Sequence, residues 1–261
     1  MSNITTLKVG DHQVKIEAGE LVGYRVSGHE FMHQKGNPGW RNVDTEMFPL
    51  IGPTNEADFK VNTPKGFATQ DQHGLLREME YVLTDSTDSK AVFSKTYSAN
   101  TEILNSKYPA KSTAEKLSWP YDFEFVKTLE LVNNSLEVTF SISGEEGMPF
   151  MLGYHPAFML HSENAVITTG NQDITIPEVM AVGSRALQVP KTDTITLKDE
   201  KSIQITSEGF SHFMLWTEVP NMVCIEPITF YPYAVAQQNL AEGFMVLKDE
   251  PAIFKVSLKP L

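Results

Sequence analysis

Strict alternation of apolar and polar residues is the feature that most constrains this chain. In Leu136-Glu137-Val138-Thr139-Phe140-Ser141-Ile142-Ser143 every second side chain is apolar. A half-buried β-strand satisfies that pattern, because its successive side chains point to opposite faces. The same period recurs in Phe254-Lys255-Val256-Ser257-Leu258-Lys259 and in Ile203-Gln204-Ile205-Thr206. Between Phe123–Val132 and Leu136–Ile142 the polar break Asn133-Asn134-Ser135 predicts a hairpin turn. No segment of a dozen residues carries a clean apolar stripe at helical spacing, and 15 prolines and 16 glycines are spread along the chain. Many short strands joined by turns require that distribution. Residues 101–122 form the longest non-periodic stretch and read as a loop. With no linker, charge block or repeat to divide it, the chain is expected to form one all-β domain over residues 1–261, a large antiparallel β-sandwich.

Charge and composition narrow the partners. The 33 acidic residues outnumber the 21 lysines and arginines, for a net charge of −12. That charge repels nucleic acid and anionic membrane surfaces, so a neutral small molecule is the more readily accommodated partner. The single cysteine, Cys224, cannot form an intrachain disulfide, which fits a reducing compartment. The start, Met1-Ser2-Asn3-Ile4-Thr5-Thr6, has neither the basic residues nor the apolar run of a signal peptide. No apolar stretch approaches the roughly 18 residues of a membrane helix. A cytoplasmic location is expected, with the sequons at Asn3 and Asn133 arising by chance.

One motif misleads. His29-Glu30-Phe31-Met32-His33 has the H-E-x-x-H pattern of zinc peptidases, which works only on a helix, where positions i and i+4 share a face. Here Gly28 precedes it, Gly36-Asn37-Pro38-Gly39 follows closely, and Leu21–Ser27 reads as a strand. On a strand the two histidines would stand roughly 13 Å apart at about 3.3 Å per residue. The segment is therefore expected to be a strand and turn that holds no metal.

Three titratable residues occupy constrained settings. His73 lies in Asp71-Gln72-His73-Gly74-Leu75-Leu76-Arg77, where Gly74 lets the backbone fold tightly behind the ring. His155 precedes Pro156, which cannot continue a central ladder and should leave His155 at a strand end. Glu226 closes the apolar run Met222-Val223-Cys224-Ile225 and precedes Pro227. A charge there is costly unless paired or used. Taken singly, each is more often a hydrogen-bonded structural residue than a catalyst, and Arg77 alone reads as a surface cation.

In combination these segments resemble the aldose 1-epimerase (galactose mutarotase-like) family. Trp40-Arg41 leading to Met47-Phe48-Pro49-Leu50-Ile51-Gly52 is similar to the family's Phe-Pro-x-x-Gly segment, and Gln72-His73-Gly74-Leu75-Leu76-Arg77 to its His-Gly-Phe-x-Arg segment. Further matches are Trp119-Pro120-Tyr121-Asp122-Phe123, Gly153-Tyr154-His155-Pro156-Ala157-Phe158, and Trp216 with Val223-Cys224-Ile225-Glu226-Pro227. The resemblance implies a mutarotase-like supersandwich with a sugar site in a concave face, and mutarotation of an aldohexose without metal or organic cofactor. It implies Glu226 as general base, His155 as general acid, and His73 as a hydrogen-bond partner of the ring oxygen or a neighbouring hydroxyl. A buried Glu226 would have a raised pKa. Arg77 and Arg41 would hold sugar hydroxyls, while Tyr154, Trp119 and Phe158 would pack on the sugar or in the core.

Two departures bear on the substrate. Pro53-Thr54-Asn55 stands where relatives often place an arginine, and between His155 and Glu226 only Asp173 and Asp193 offer weak matches to the family's substrate-binding aspartate. Other readings fit less well. Epimerisation of a hexose 6-phosphate would want a cationic pocket, for which Arg41, Arg77 and Lys65 are candidates. A non-catalytic sugar-binding sandwich would not need the acid–base residues. A metal site using His73, His155 and Glu226 lacks the usual H-x-H spacing. Nucleophilic hydrolysis lacks a G-x-S-x-G elbow, and Cys224 sits mid-strand.

Overall fold

The computed structural model describes residues 4–170 and 172–261; the sequon at Asn3 lies outside them. Two large antiparallel sheets dominate. The larger has nine strands in the spatial order Asp173–Thr175, Val166–Thr168, Thr194–Lys198, Ile203–Glu208, Ala252–Pro260, Ser135–Gly144, Phe123–Val132, Lys90–Tyr97 and Val82–Ser86. The second runs Leu187–Pro190, His212–Trp216, Met222–Ile228, Gly153–Tyr154 and Glu46–Met47, with Ala157–Met159 also pairing to Met222–Ile228. A smaller four-stranded sheet covers Ile4–Val9, His12–Glu17, Glu20–Val26 and His29–Glu30. The expected all-β, antiparallel sandwich is what the chain forms.

The alternation does the work expected of it. Leu136, Val138, Phe140 and Ile142 are fully buried on one face of Ser135–Gly144, and the neighbouring strand Ala252–Pro260 aligns Phe254, Val256 and Leu258 with Phe140, Val138 and Leu136. Each such side chain contributes about 1.5–3 kcal/mol on burial. The hairpin closes on two residues, Asn133 and Asn134, both at positive φ (51° and 59°), with Val132 opposite Ser135. Asparagine tolerates that left-handed conformation, which a two-residue turn between twisted strands needs. One hydrophobic core cluster runs from Leu7 to Leu258. The single α-helix among the described residues, Ile176–Val182, is short and starts with a capping box between Thr175 and Glu178.

The second sheet contains the irregularity that builds the site. Met222–Ile228 continues through Pro227, which pairs with Phe213, so the strand does not stop at Glu226 as the sequence suggests. The reason lies on its other side. Ala157–Met159 pairs with Met222–Cys224 and Gly153 pairs with Ile228, leaving His155 and Pro156 opposite the interval between. The break that Pro156 imposes falls on this partner strand, and Pro227 meets little demand for a donor there. His155 keeps its own backbone order through Thr45, donating to its carbonyl at 2.9 Å and accepting from its N–H at 3.3 Å.

Candidate active site

Over this break opens a pocket of about 810 Å³. All five residues singled out in the sequence, Glu226, His155, His73, Arg77 and Arg41, line it. They come from segments as far apart as positions 41 and 226, and only the fold brings them together.

Glu226 stands on the same strand face as Met222 and Cys224, and the adjacent strand places Met214 and Trp216 beside it. Its side chain is 2% exposed, and His155 Nε2 lies 3.4 Å from its Oε1. Burial holds the Glu226 carboxyl well above the ordinary carboxylate range. The His155 ring is stacked on Trp40 (centroids 4.2 Å, 25°) and meets Trp216 edge-on at 6.1 Å. Burial, joined by the positive charge of Arg77, pushes its imidazole down to about 3. Burial thus disfavours the charged form of both groups, raising the carboxyl and lowering the imidazole.

His73 approaches from another layer. Its backbone is left-handed (φ 76°), and so is that of Gly74 (φ 70°). A histidine holds this conformation only when its surroundings fix it. Here the His73 N–H donates to Ile51 O at 2.8 Å, its carbonyl accepts from Phe48 N at 3.2 Å, and Gly74 N donates to Asp71 O at 2.9 Å. A side chain at Gly74 would overlap the Phe48 carbonyl. The turn thus aims the His73 ring at His155, with centroids 5.4 Å apart and planes at 84°. Burial, then the charges of His155, Arg77 and Lys107, lower the His73 pKa well below that of free histidine. Among the described residues, no hydrogen-bond partner meets the buried Nδ1 atoms of His73 and His155.

The fold decides between the alternatives left open for the other residues. Trp119, Phe158 and Tyr154 are fully buried in the core, and the Tyr154 hydroxyl donates to Asp44 at 2.9 Å. The aromatic walls of the pocket are Trp40, Trp216 and Tyr233 instead. Lys65 pairs with Glu145 and lies over the Tyr121 ring, away from the pocket. Asp173 bonds Thr168 and Asp193 bonds Thr194, and neither lines the pocket. Lys107, Lys111 and Arg185, which sequence reasoning passed over, do line it. The first two lie in the non-periodic stretch 101–122, and a cluster of lysines in such a loop was the available signal.

The H-E-x-x-H segment is a strand and turn, as expected. His29–Glu30 is a short strand, Glu30 accepts from the N–H groups of Tyr24 and Met32, and the His29 ring packs against His161 and Phe31. His33 is fully buried, and its Nε2 donates to Trp40 O at 2.9 Å. Since Trp40 stacks on His155, the two histidines should behave differently on replacement. His29→Ala should leave turnover unchanged, whereas His33→Ala should cost about 1–3 kcal/mol of stability through the stranded carbonyl. Paired thermal melts and rate assays would show the contrast. Among the described residues, the cluster of metal-capable atoms within 4.8 Å of one another is His155, Cys224 and Glu226, and so differs from the His73, His155, Glu226 set. Burial raises the Cys224 thiol well above its ordinary pKa.

A sandwich carrying such a pocket has known relatives. The chain belongs to the aldose 1-epimerase family, whose sequence pattern matches residues 54–218. That span includes His73, Arg77 and His155, while Glu226 reaches the same pocket from beyond it. Among solved structures, the chain is similar to a galactose mutarotase related enzyme from Lactobacillus acidophilus, at 18% identity and TM-score 0.77, over 99% of this chain and 97% of that one. It is also similar to a galactose mutarotase-like protein from Lactobacillus casei, at 16% identity and TM-score 0.78, over 99% and 100% of the two chains. An aldose epimerase homologue from C. elegans aligns over 100% and 99% of the chains at 9% identity and TM-score 0.73. At these identities the likeness is one of fold. No curated protein sequence matches the chain.

Proposed function

We propose that the chain is a single-domain, cytoplasmic aldose 1-epimerase that interconverts the α and β pyranose anomers of an aldohexose by general acid–base catalysis. The observation that supports this best is the buried His155–Glu226 pair, 3.4 Å apart at the pocket wall. Opening a pyranose ring needs a base for the C1 hydroxyl proton and an acid for the ring oxygen. A pair holding one proton can supply both without exchanging protons with solvent. On sugar binding, hydroxyl groups solvate the pair, and the proton passes from Glu226 to His155. The Glu226 carboxylate then takes the O1 proton while the His155 imidazolium protonates the ring oxygen. The C1–O5 bond breaks, leaving an aldehyde at C1, a protonated Glu226 and a neutral His155. Rotation about C1–C2 presents the other carbonyl face, and closure reverses both transfers. His73 supports the ring oxygen, Arg41 and Arg77 hold hydroxyls, and Trp40, Trp216 and Tyr233 pack on C–H faces. The reaction itself calls for no redox or group-transfer cofactor.

The pH profile follows from the same pair. Catalysis fails on the acid side when His155 binds a second proton, and burial places that event at about 3 rather than 6.5. The expected kcat/KM is therefore flat from pH 7 down to about pH 5, with no acid limb near the ordinary histidine value. On the alkaline side, activity falls when the pair loses its proton, at a pH set by the raised Glu226. A midpoint near 6.5 on the acid side would contradict this proton inventory. Polarimetric relaxation of freshly dissolved α-glucose and α-galactose, compared with the uncatalysed rate, tests the activity.

A further inference from the structure

The acid of the proposed reaction is oriented in an unusual way. A catalytic imidazole is normally fixed by a hydrogen bond from its second nitrogen to a carboxylate or a carbonyl. Among the described residues, the buried His155 Nδ1 meets no such partner. Its Nε2 reaches Glu226 only at 3.4 Å, long for a hydrogen bond. The backbone bonds to Thr45 hold the His155 main chain but leave rotation about Cβ–Cγ unrestrained. That torsion is broad for histidine, and it decides where the two ring nitrogens point. Something else must set it.

Three neighbouring rings do so. His73 and Trp216 meet the imidazole edge-on, at 84° and 68°, with centroids 5.4 and 6.1 Å away. Trp40 lies closer and along its face, with centroids 4.2 Å apart and planes at 25°. A flat indole against the imidazole face opposes any turn out of that plane. The place of Trp40 is itself fixed. Its N–H donates to Met222 Sδ at 3.4 Å, and its carbonyl accepts from His33 Nε2 at 2.9 Å. The His33 N–H in turn donates to Ala157 O at 2.8 Å, so indole and imidazole hang from one stretch of backbone, residues 155–157. Gly39 makes the approach possible. Its φ is +118°, and a Cβ there would stand 2.7 Å from Met222 Sδ and 2.9 Å from Val219 Cγ2. The Asn221 side chain ties the preceding turn by donating to Pro38 O at 2.8 Å. An exposed loop, residues 35–39, thus ends in a half-buried tryptophan held at several points. We propose that Trp40 is the positioning residue of the acid, its indole standing in for a hydrogen-bonded orienter and holding the His155 ring in the plane that serves Glu226 and the sugar. This rests on the epimerase reading above and adds to it the group that keeps its acid aligned. The same stack favours the imidazolium that the mechanism passes through, because an indole face attracts a cation.

The test replaces Trp40 by phenylalanine, which keeps a flat face, and by leucine, which keeps apolar bulk without one. Anomer exchange is followed with whichever of glucose, galactose and their 6-phosphates the wild type turns over fastest. The order of the His155 ring is read separately from NMR relaxation of its carbons, assigned with His155→Asn. In Trp40→Leu, kcat should fall about 10–100-fold, the cost of a small misplacement of a reacting group, and the His155 ring should become mobile. Because Trp40 also lines the pocket, some rise in KM accompanies that loss. Trp40→Phe should recover most of kcat and of the ring order, whereas a merely apolar contact would be served equally by leucine. Gly39→Ala, which pushes the intact indole aside, should give the leucine effect in smaller measure, and it carries both readouts if Trp40→Leu fails to fold. A His155 ring as ordered in Trp40→Leu as in wild type overturns the inference. A loss confined to KM, or equal kcat in the leucine and phenylalanine variants, overturns it too, and all three results leave epimerase activity standing. If the wild type turns over no sugar, the epimerase reading fails, and the ring order in Trp40→Leu alone decides whether Trp40 positions His155.

Discussion

Glutamine in place of Glu226 is expected to slow catalysed anomerisation by about 10²–10⁴-fold, the span usual for loss of a general base or acid. The amide has the shape of the protonated carboxyl and can keep the 3.4 Å contact with His155 Nε2, but it cannot accept the O1 proton. Sugar affinity should survive. Stability should hold or rise, because burial already disfavours the charged carboxylate there. The sign with pH is definite. A folded state that keeps a proton the unfolded chain sheds above about 4.3 loses stability as pH rises. The stability advantage of Glu226→Gln over wild type should therefore widen from pH 5 to pH 8. Loss of activity together with loss of folding would assign Glu226 a structural part instead.

Lys127→Met should have the largest effect on stability, about 3–5 kcal/mol, a large share of the roughly 5–15 kcal/mol of a typical domain. Lys127 lies on the inward face of Phe123–Val132 with no exposed side-chain surface, and its Nζ is 2.6 Å from Asp44 and 2.7 Å from Glu46. Tyr154 and Tyr81 complete the network by donating to Asp44 at 2.9 Å and to Glu46 at 2.8 Å. Without the ammonium, two buried carboxylates face each other unpaired. Even in wild type, burial outweighs the lysine at Asp44 and raises its pKa to about 6. In the variant both carboxyls should bind protons more tightly when folded, so the deficit should shrink as pH falls toward 5. Urea melts at pH 5 and pH 7.5 would show this. A variant as stable as wild type at both pH values would refute it. Activity should also suffer, since Thr45, between Asp44 and Glu46, is the residue that pairs with the His155 backbone.

Much of this molecule was legible before folding. Leu136–Ser143 reads as a strand because one face is wholly apolar, and Asn133-Asn134 reads as a turn because asparagine tolerates positive φ. His73, His155 and Glu226 stood out by their local chemistry, a ring or carboxyl set against glycine or proline in apolar surroundings, whereas Arg41 and Arg77 were implied only by the family resemblance. Their convergence was not derivable from spacing. It depends on Phe48–Ile51 bonding the His73 turn and on Thr45 bonding His155. Pro227 misled because a proline is judged against two partner strands, and here it faces the unpaired interval between Gly153 and Ala157. The buried lysine left a signal that went unused. In Phe123-x-Phe125-x-Lys127-x-Leu129-x-Leu131 a cation occupies an apolar-face position, which demands buried carboxylates. Lys107 and Lys111 were hidden for the opposite reason. Their loop has no periodicity, and its placement rests on long-range bonds from Asn105 and Ser106 to Asp71 and Glu78.

The central claim is that this pocket exchanges sugar anomers. The most direct measurement is the rate of that exchange at pH 7 in the presence of the protein, with glucose, galactose and their 6-phosphates each compared with buffer alone. Acceleration proportional to protein concentration for at least one sugar is the expected result. Exchange at the uncatalysed rate for every sugar, by folded protein, would contradict the claim.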